Sequence, residues 1–368
     1  MSRLNGSGDR RVTMSEVANL AQCSQSTVSV VLNPDSKVKI SRDTRERILK
    51  AAETLGYRLE HTNASRAAPI RRIAVIFDDL TICPEAVIAA DGVREFTWDT
   101  GDIVSTYNCH ADPLMEARTL DAVLRSRPAA IIYATVRTGP VEVPGVLYET
   151  DIPVVLLGCW SRGHAFPAVR PADVAGGARA TELLIAAGHR RIAHITGEAW
   201  MDVSKDRLHG YRDALATADL AFDPELVREG NFQLTSGYEA TLSLMQLPRP
   251  PTAIFCGNDS MALGCYEALK ELGLRIPDDV SDIGFDDDEI ASHLMPKLTT
   301  LKFPRHEMGA WAAERALAPG HDRSQTYRAV KIECELVERE SVASPVTSRR
   351  AEPVAAASAG RASASRER

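Results

Sequence analysis

Thr13-Met14-Ser15-Glu16-Val17-Ala18-Asn19-Leu20-Ala21, followed by Ser24-Gln25-Ser26-Thr27-Val28-Ser29-Val30-Val31-Leu32-Asn33, reads as two short helices joined by a tight polar turn. Thr13 is placed to cap the first helix, whose apolar positions Val17, Ala18, Leu20 and Ala21 make one face, and Gln22-Cys23-Ser24 interrupts it. Ser24 then caps a second run that ends at Leu32. Within it Val28, Val31 and Leu32 recur at helical spacing to pack on the first helix, which leaves Gln25, Ser26 and Ser29 facing outward. A third helix is predicted from Ser41 to Leu55, with Ile48, Ala51, Ala52 and Leu55 inside and Arg42, Arg45, Arg47 and Lys50 outside. Short polar side chains on an outward helical face suit base edges and phosphates in a major groove, so the segment fits a small helix-turn-helix head.

A plain three-helix bundle with a solvated charged face would show the same periodicity. Charge separates the two readings. Residues 1–68 hold eleven Lys/Arg against seven Asp/Glu, a charge of +4 in a chain of net −7, so the remainder stands at −11. An otherwise acidic chain that gathers positive charge at one end has the distribution phosphate binding requires.

The order of residues adds to this. Val12-Thr13-Met14-Ser15-Glu16-Val17-Ala18, Ser24 to Asn33, Ser41-Arg42-Asp43-Thr44-Arg45-Glu46-Arg47-Ile48 and Leu55-Gly56-Tyr57 closely resemble the head of the lactose-repressor (LacI) family of bacterial transcription regulators. The resemblance implies that Gln25 and Ser26 read bases, while Ser24, Thr27, Ser29, Asn33 and Tyr57 hold the DNA backbone. Val30 stands where the family usually has an arginine, so either a base contact is missing or Val30 touches a thymine methyl.

Arg58 to Pro69 is polar, with little to pack on, and reads as a linker: either a disordered tether, or the hinge helix that the family folds on DNA. The family's leucine wedge is replaced by Arg66, or by Ser65 in the alternative register. An arginine in a narrowed minor groove is the functional reading of that position.

The 368 residues, 44% of them hydrophobic, leave room beyond the head for a large body. Arg72 to Phe77 is a run that fits a fully buried parallel strand. Further apolar runs at 129–134, 153–158, 191–197, 253–257 and 281–285 alternate with helical patterns at 173–187, 206–218, 236–245 and 260–272. The predicted class is therefore α/β: an all-α head, then two lobes of doubly wound parallel sheet. Ligands in such sheets sit beyond the carboxyl ends of the strands.

Polar residues at those ends are either helix caps or ligand contacts. Gly188-His189-Arg190-Arg191-Ile192-Ala193, Arg207-Leu208-His209-Gly210-Tyr211, Cys256 to Ala262, Pro277 to Ser281, Gly284-Phe285-Asp286-Asp287 and Pro296 to Leu301 resemble the family's periplasmic-binding-protein-like effector domain. By that resemblance Arg207, Asn258 and Asp286 contact the effector from the C-terminal lobe, Phe232 covers its ring, and Asp78 and Ile82 contribute from the first lobe. Carboxylates and amides suit sugar hydroxyls, and an aromatic covers an apolar sugar face. Gly158 stands where sugar-binding members often have aspartate, and with Trp160 nearby this suggests a larger or less polar ligand.

The seven cysteines, at 23, 83, 109, 159, 256, 265 and 334, show no close paired spacing and read as reduced thiols, without structural zinc. Asp286 to Glu289 is expected to face water rather than hold a metal. No Gly-Xaa-Ser-Xaa-Gly elbow, phosphate loop, secretory signal or membrane span is visible, so neither an enzyme nor a cofactor is expected. The expected domains are a flexible N-terminus (1–11), the head (12–57), the hinge or linker (58–70), the effector-binding and dimerisation body (71–340) and a disordered tail (341–368). The expected activity is that of a cytoplasmic, nucleoid-associated homodimeric repressor of carbohydrate-related genes. It would bind a pseudo-palindromic operator in double-stranded DNA under control of a small-molecule effector, a sugar or sugar derivative. A sugar-binding transport protein of the same two-lobed fold is the alternative.

Overall fold

Thr13 and Glu16 close a capping box: the Thr13 hydroxyl accepts from the Glu16 backbone N–H at 3.3 Å, and the Glu16 carboxylate accepts from the Thr13 backbone N–H at 2.7 Å. They start α1 (Met14–Leu20). The turn after it passes through left-handed backbone at Gln22, with φ 49°. Ser24 accepts from the Thr27 N–H at 3.1 Å and opens α2 (Gln25–Leu32), and the Ser41 hydroxyl accepts from the Thr44 N–H to open α3 (Arg42–Leu55). Val17, Ala18, Ala21, Val28, Val31, Leu32, Ile48, Ala51 and Ala52 form the core of these helices. Leu20 corrects the sequence reading, being 51% exposed. At about 100° per residue it falls roughly 100° off the face centred by Val17, Ala18 and Ala21.

The structure, a computed structural model, describes residues 13–32, 40–55, 70–319 and 325–345, and the chain divides into two compact units after Pro69. The second unit begins with β1 (Arg72–Phe77), α4 (Ile88–Thr97), β2 (Ile103–Asn108), α5 (Pro113–Ser126), β3 (Ala130–Val141), α6 (Gly145–Glu149), β4 (Val154–Ser161) and β5 (Ala168–Pro171). Along β1, Ile73, Val75 and Phe77 face one core, under α4, while Ala74 and Ile76 face another, under α5 and α6. Burial on both faces is why this strand reads as an unbroken apolar run.

The chain then builds a second lobe from α7 (Asp173–Ala186), β6 (Ile192–Thr196), α8 (Asp202–Thr217), β7 (Val227–Glu229), α9 (Leu234–Met245), β8 (Ala253–Cys256), α10 (Asp259–Glu271), β9 (Ser281–Ile283) and β10 (Thr300–Lys302). It returns to the first lobe for α11 (Arg305–Leu317) and β11 (Val330–Ile332), and ends with β12 (Glu335–Val337), which pairs antiparallel with β10. Among the described residues the lobe sheets run β11-β5-β4-β3-β1-β2 and β7-β6-β8-β9, every pair parallel. Helix α8 starts at Asp202, four residues before the position read from sequence. Asp202 pairs with Lys205 at 3.0 Å, so Asp202 to Ser204 form a first turn instead of a loop and Arg207 lies in the second.

Helices α7 and α8 cross with their backbones nearly touching. A Cβ added at Gly210 would lie 2.0 Å from the Val174 carbonyl oxygen, and one at Gly177 would lie 2.3 Å from that of Arg207. The same device recurs where α9 meets α10 (Gly237, Gly264) and where α4 meets α11 (Gly92, Gly309).

Candidate functional site

On α2, Gln25, Ser26 and Ser29 are exposed opposite the buried Val28, Val31 and Leu32, and Val30 is half-buried. The Ser24 hydroxyl lies 2.7 Å from those of both Ser26 and Thr27. Hydroxyls in such a cluster exchange donor and acceptor roles at little cost, which suits a surface that meets another polar surface. Asn33, Tyr57 and Arg66 lie outside the described residues. On α3, Arg45, Arg47 and Lys50 are exposed, with Asp43 3.6 Å from Arg47.

In the second unit, the carboxyl ends of β1, β3, β4, β6, β8 and β9 converge on a cavity of 430 Å³. Ile82, Arg207, Phe232, Asn258 and Asp286, all singled out in the sequence, line it together. Arg207 is held from several sides by the protein itself. Its Nε donates to Asp173 at 3.0 Å, its Nη1 donates to the Gly257 carbonyl, its guanidinium lies 3.5 Å over the Phe285 ring, and the Asp286 carboxylate is 3.9 Å away. Asn258 serves both of the readings its position allowed. Its Oδ1 accepts from the Met261 N–H to cap α10, and its Nδ2 donates to the Phe232 carbonyl at 3.1 Å, on the cavity wall.

Left-handed backbone lies in the wall and beside it. Phe232, Asp286 and Asp287 have φ of 62°, 118° and 56°, a region non-glycine residues seldom occupy away from functional sites. Burial pushes the Asp286 carboxyl above its ordinary range, against the lowering pull of Arg305 and Arg207. Burial and the neighbouring Asp286 push Asp288 up to about 7, and its Oδ1 has no hydrogen-bond partner.

Two residues read as effector contacts do not line this cavity. The Asp78 carboxylate turns back to accept from the N–H groups of Val136 and Asp79, at 2.9 and 2.7 Å. In doing so it pins the register shift between β3 and β4 that sends Thr135 to Thr138 into the cavity. Trp160 lies farther along β4, its ring under the Arg170 guanidinium at 4.6 Å, and Arg170 bonds Asp206 of the other lobe at 2.8 Å. Gly158 does line the cavity, with φ 74°, and a Cβ there would lie 2.4 Å from the Thr135 carbonyl oxygen. An aspartate at that position would require a different backbone.

Glu85, Arg137, Glu198 and Arg305 also line the cavity and are absent from the residues singled out in the sequence. Arg305 was the most legible, as the first residue after a strand and a proline, at the start of a helix.

Residues 13–59 match "Bacterial regulatory proteins, lacI family", and residues 181–342 match "Periplasmic binding protein-like domain". Over 335 residues the chain is 31% identical to the ribose operon repressor of Haemophilus influenzae, a match spanning 90% of this chain and 98% of that one. The chain belongs to the LacI family of bacterial regulatory proteins. A LacI-family regulator from Rhizobium etli superposes with a TM-score of 0.67 at 26% identity, over 74% of this chain and 99% of that one. The transcriptional regulator CelR in complex with cellobiose does so with a TM-score of 0.61 at 28% identity, over 90% of this chain and 100% of that one. The LacI-family relatives are helix-turn-helix repressors, and this chain carries the family's DNA-binding domain and its two-lobed body. Among the described residues no helix is long and apolar enough to cross a membrane.

Proposed function

We propose that the chain is a cytoplasmic homodimeric repressor that reads a pseudo-palindromic operator and binds a sugar or sugar derivative in the 430 Å³ cavity. The observation that carries the effector reading is Arg207, fixed by Asp173 and Gly257, beside the Asp286 carboxylate and the Phe232 ring. A pre-oriented guanidinium donates to ring or hydroxyl oxygens, carboxylates accept from hydroxyls, and an aromatic face covers C–H groups. Relatives named for ribose and bound to cellobiose support the class of ligand. Signalling has a physical path, since Asp206, next to Arg207, holds Arg170 of the other lobe at 2.8 Å. A ligand that draws on Arg207 shifts the balance of lobe arrangements by its differential affinity for them.

In the head, Gln25 and Ser26 read base edges, and Ser24, Thr27 and Ser29 contact phosphates. Val30 touches a thymine methyl, Asn33 and Tyr57 hold the backbone, and Arg66 enters the minor groove. Selection of bound duplexes by the purified chain, repeated with a panel of sugars, tests both halves. A two-fold-related sequence is expected, with a changed yield in the presence of one sugar. Gln25→Ala with Ser26→Ala is expected to lower the ratio of specific to nonspecific binding about a hundredfold, at about 1–3 kcal/mol per lost base contact. Unchanged base preference in that double variant would sink the assignment.

The Phe232 wall gives a separate prediction. A Cβ at Gly197 would lie 2.0 Å from the Phe232 ring, so Gly197→Ala must swing the ring off its place. Sugar affinity is expected to fall roughly fivefold, the worth of one aromatic face at about 1 kcal/mol, with little change in melting temperature. Titration calorimetry with the selected sugar reads the first, and unchanged affinity would remove Phe232 from the site.

A further inference from the structure

Cys256 ends β8, Cys265 lies on α10 and Asp282 is the middle residue of β9, and all three are fully buried in the second lobe. One ligand atom from each lies within 4.8 Å of the others. The Cys256 Sγ is 3.3 Å from Asp282 Oδ1, while Asp282 Oδ2 has no hydrogen-bond partner. Everything else around Asp282 is settled. Its backbone N–H donates to the Ser341 carbonyl at 3.0 Å and its carbonyl accepts from the Ser341 hydroxyl at 2.6 Å, so β9 is held from the side. No salt bridge reaches it among the described residues, and both cysteines belong to an apolar core with Met261, Ala262, Leu269 and Val280.

A carboxylate in an apolar core needs a cation or a full set of hydrogen bonds to stay charged, and otherwise takes up a proton. Protonation would not supply the missing partner, because Oδ2 is unpaired in either state. Two thiols and one carboxylate are a donor set for zinc. With Zn–S near 2.3 Å and Zn–O near 2.0–2.2 Å, tetrahedral angles put sulfur and oxygen about 3.5 Å apart, close to the separation found here.

We propose that Cys256, Cys265 and Asp282 bind one Zn²⁺ ion inside the second lobe. Binding releases the thiol protons and leaves one tetrahedral position for a fourth donor. The ion would tie β8, α10 and β9 together directly beneath the cavity, since Cys256 precedes Gly257 and Asn258, which receive Arg207 and form the wall.

Titration of the untagged, reduced, metal-free full chain with Co²⁺ tests this. One equivalent is expected to give a thiolate-to-cobalt charge-transfer band in the near ultraviolet, lost again on adding one equivalent of Zn²⁺. Cys265→Ser and Asp282→Asn should each weaken Co²⁺ binding at least tenfold. The double variant Cys23→Ser/Cys83→Ser, at the two cysteines that are not buried, should leave it intact. Zn²⁺ should also raise the melting temperature of the wild-type chain, a measurement that needs no variant to fold. No charge-transfer band in the wild-type chain, a band that survives both substitutions, or a melting temperature indifferent to Zn²⁺ would overturn the proposal.

Discussion

Arg207→Met is expected to destabilise the body by about 3–5 kcal/mol and to lower sugar affinity by two orders of magnitude or more. Methionine replaces most of the side-chain volume, so packing is not the main loss. The loss is electrostatic. Arg207 and Asp173 are 3% and 1% exposed, their ion pair is 3.0 Å long, and Asp173 Oδ2 has no other partner. Without the guanidinium, Asp173 remains a buried carboxylate that has lost its ion-pair partner, and the Gly257 carbonyl and the face of Phe285 lose their contacts as well.

The pH dependence gives this prediction its sign. Burial pushes the Asp173 carboxyl up to about 6 even with Arg207 pulling it down. An acid whose folded value is raised binds its proton more readily in the folded chain. Its contribution to stability is full below the unfolded value near 4 and is lost as pH rises through the folded value. Removing Arg207 removes the leading opposing cause, so Asp173 moves higher still and the variant suffers most where the acid must ionise. Urea denaturation should show a smaller deficit at pH 5 than at pH 8, and Asp173→Asn added to Arg207→Met should recover part of the stability at pH 8. A variant as stable as the parent at pH 8 would mean that the pair does not anchor the cavity.

That anchor was only partly legible in the sequence, and the pattern of what was legible is physical. The head could be read because its signals are local: Thr13 and Glu16, and Ser24 and Thr27, are three residues apart and bond to each other. The central strands could be read because burial on both faces removes polar residues from them. Strand β2 was missed because it lies at the sheet edge with Ile103 and Thr106 exposed, and so carries no unbroken apolar run. Strands β5 and β11 were missed because four and three residues are too few for a period.

The site followed the same division. Asn258 and Asp286 follow the ends of β8 and β9 closely, whereas Arg207, in the second turn of α8, is pointed to by the resemblance to the family and by no strand end. The turning back of Asp78 depends on a register shift between β3 and β4, and the distance of Trp160 from the cavity depends on Arg170 and Asp206, which meet only across the lobes. The Cys256, Cys265 and Asp282 cluster is invisible for the same reason. Its members lie on two strands and a helix, without the close spacing that marks a zinc site in sequence.

Gly177→Ala should show how closely Arg207 depends on the helix crossing beneath it. The new Cβ would stand 2.3 Å from the Arg207 carbonyl oxygen and 2.9 Å from its Cα, and both are backbone atoms that no rotamer change can move. Helices α7 and α8 must separate. Alanine favours a helix over glycine by about 1 kcal/mol, whereas overpacking costs about 1–3 kcal/mol and more when backbone is displaced, so the steric effect wins and a net loss of roughly 2 kcal/mol is expected. Gly210→Ala, 2.0 Å from the Val174 carbonyl oxygen on the other side of the crossing, should cost a similar amount. Gly145→Ala, in α6 with nothing within 4 Å of its Cβ, is the matched control and should be neutral or slightly stabilising. The two crossing variants should differ in binding. Gly177→Ala pushes on Arg207 itself, and a shift approaching 1 Å spoils charge-assisted hydrogen bonds, so sugar affinity should fall at least tenfold. Gly210→Ala presses on α7 one turn away and should lose less. Equal affinities for the two variants would mean that the crossing supports the fold without positioning Arg207.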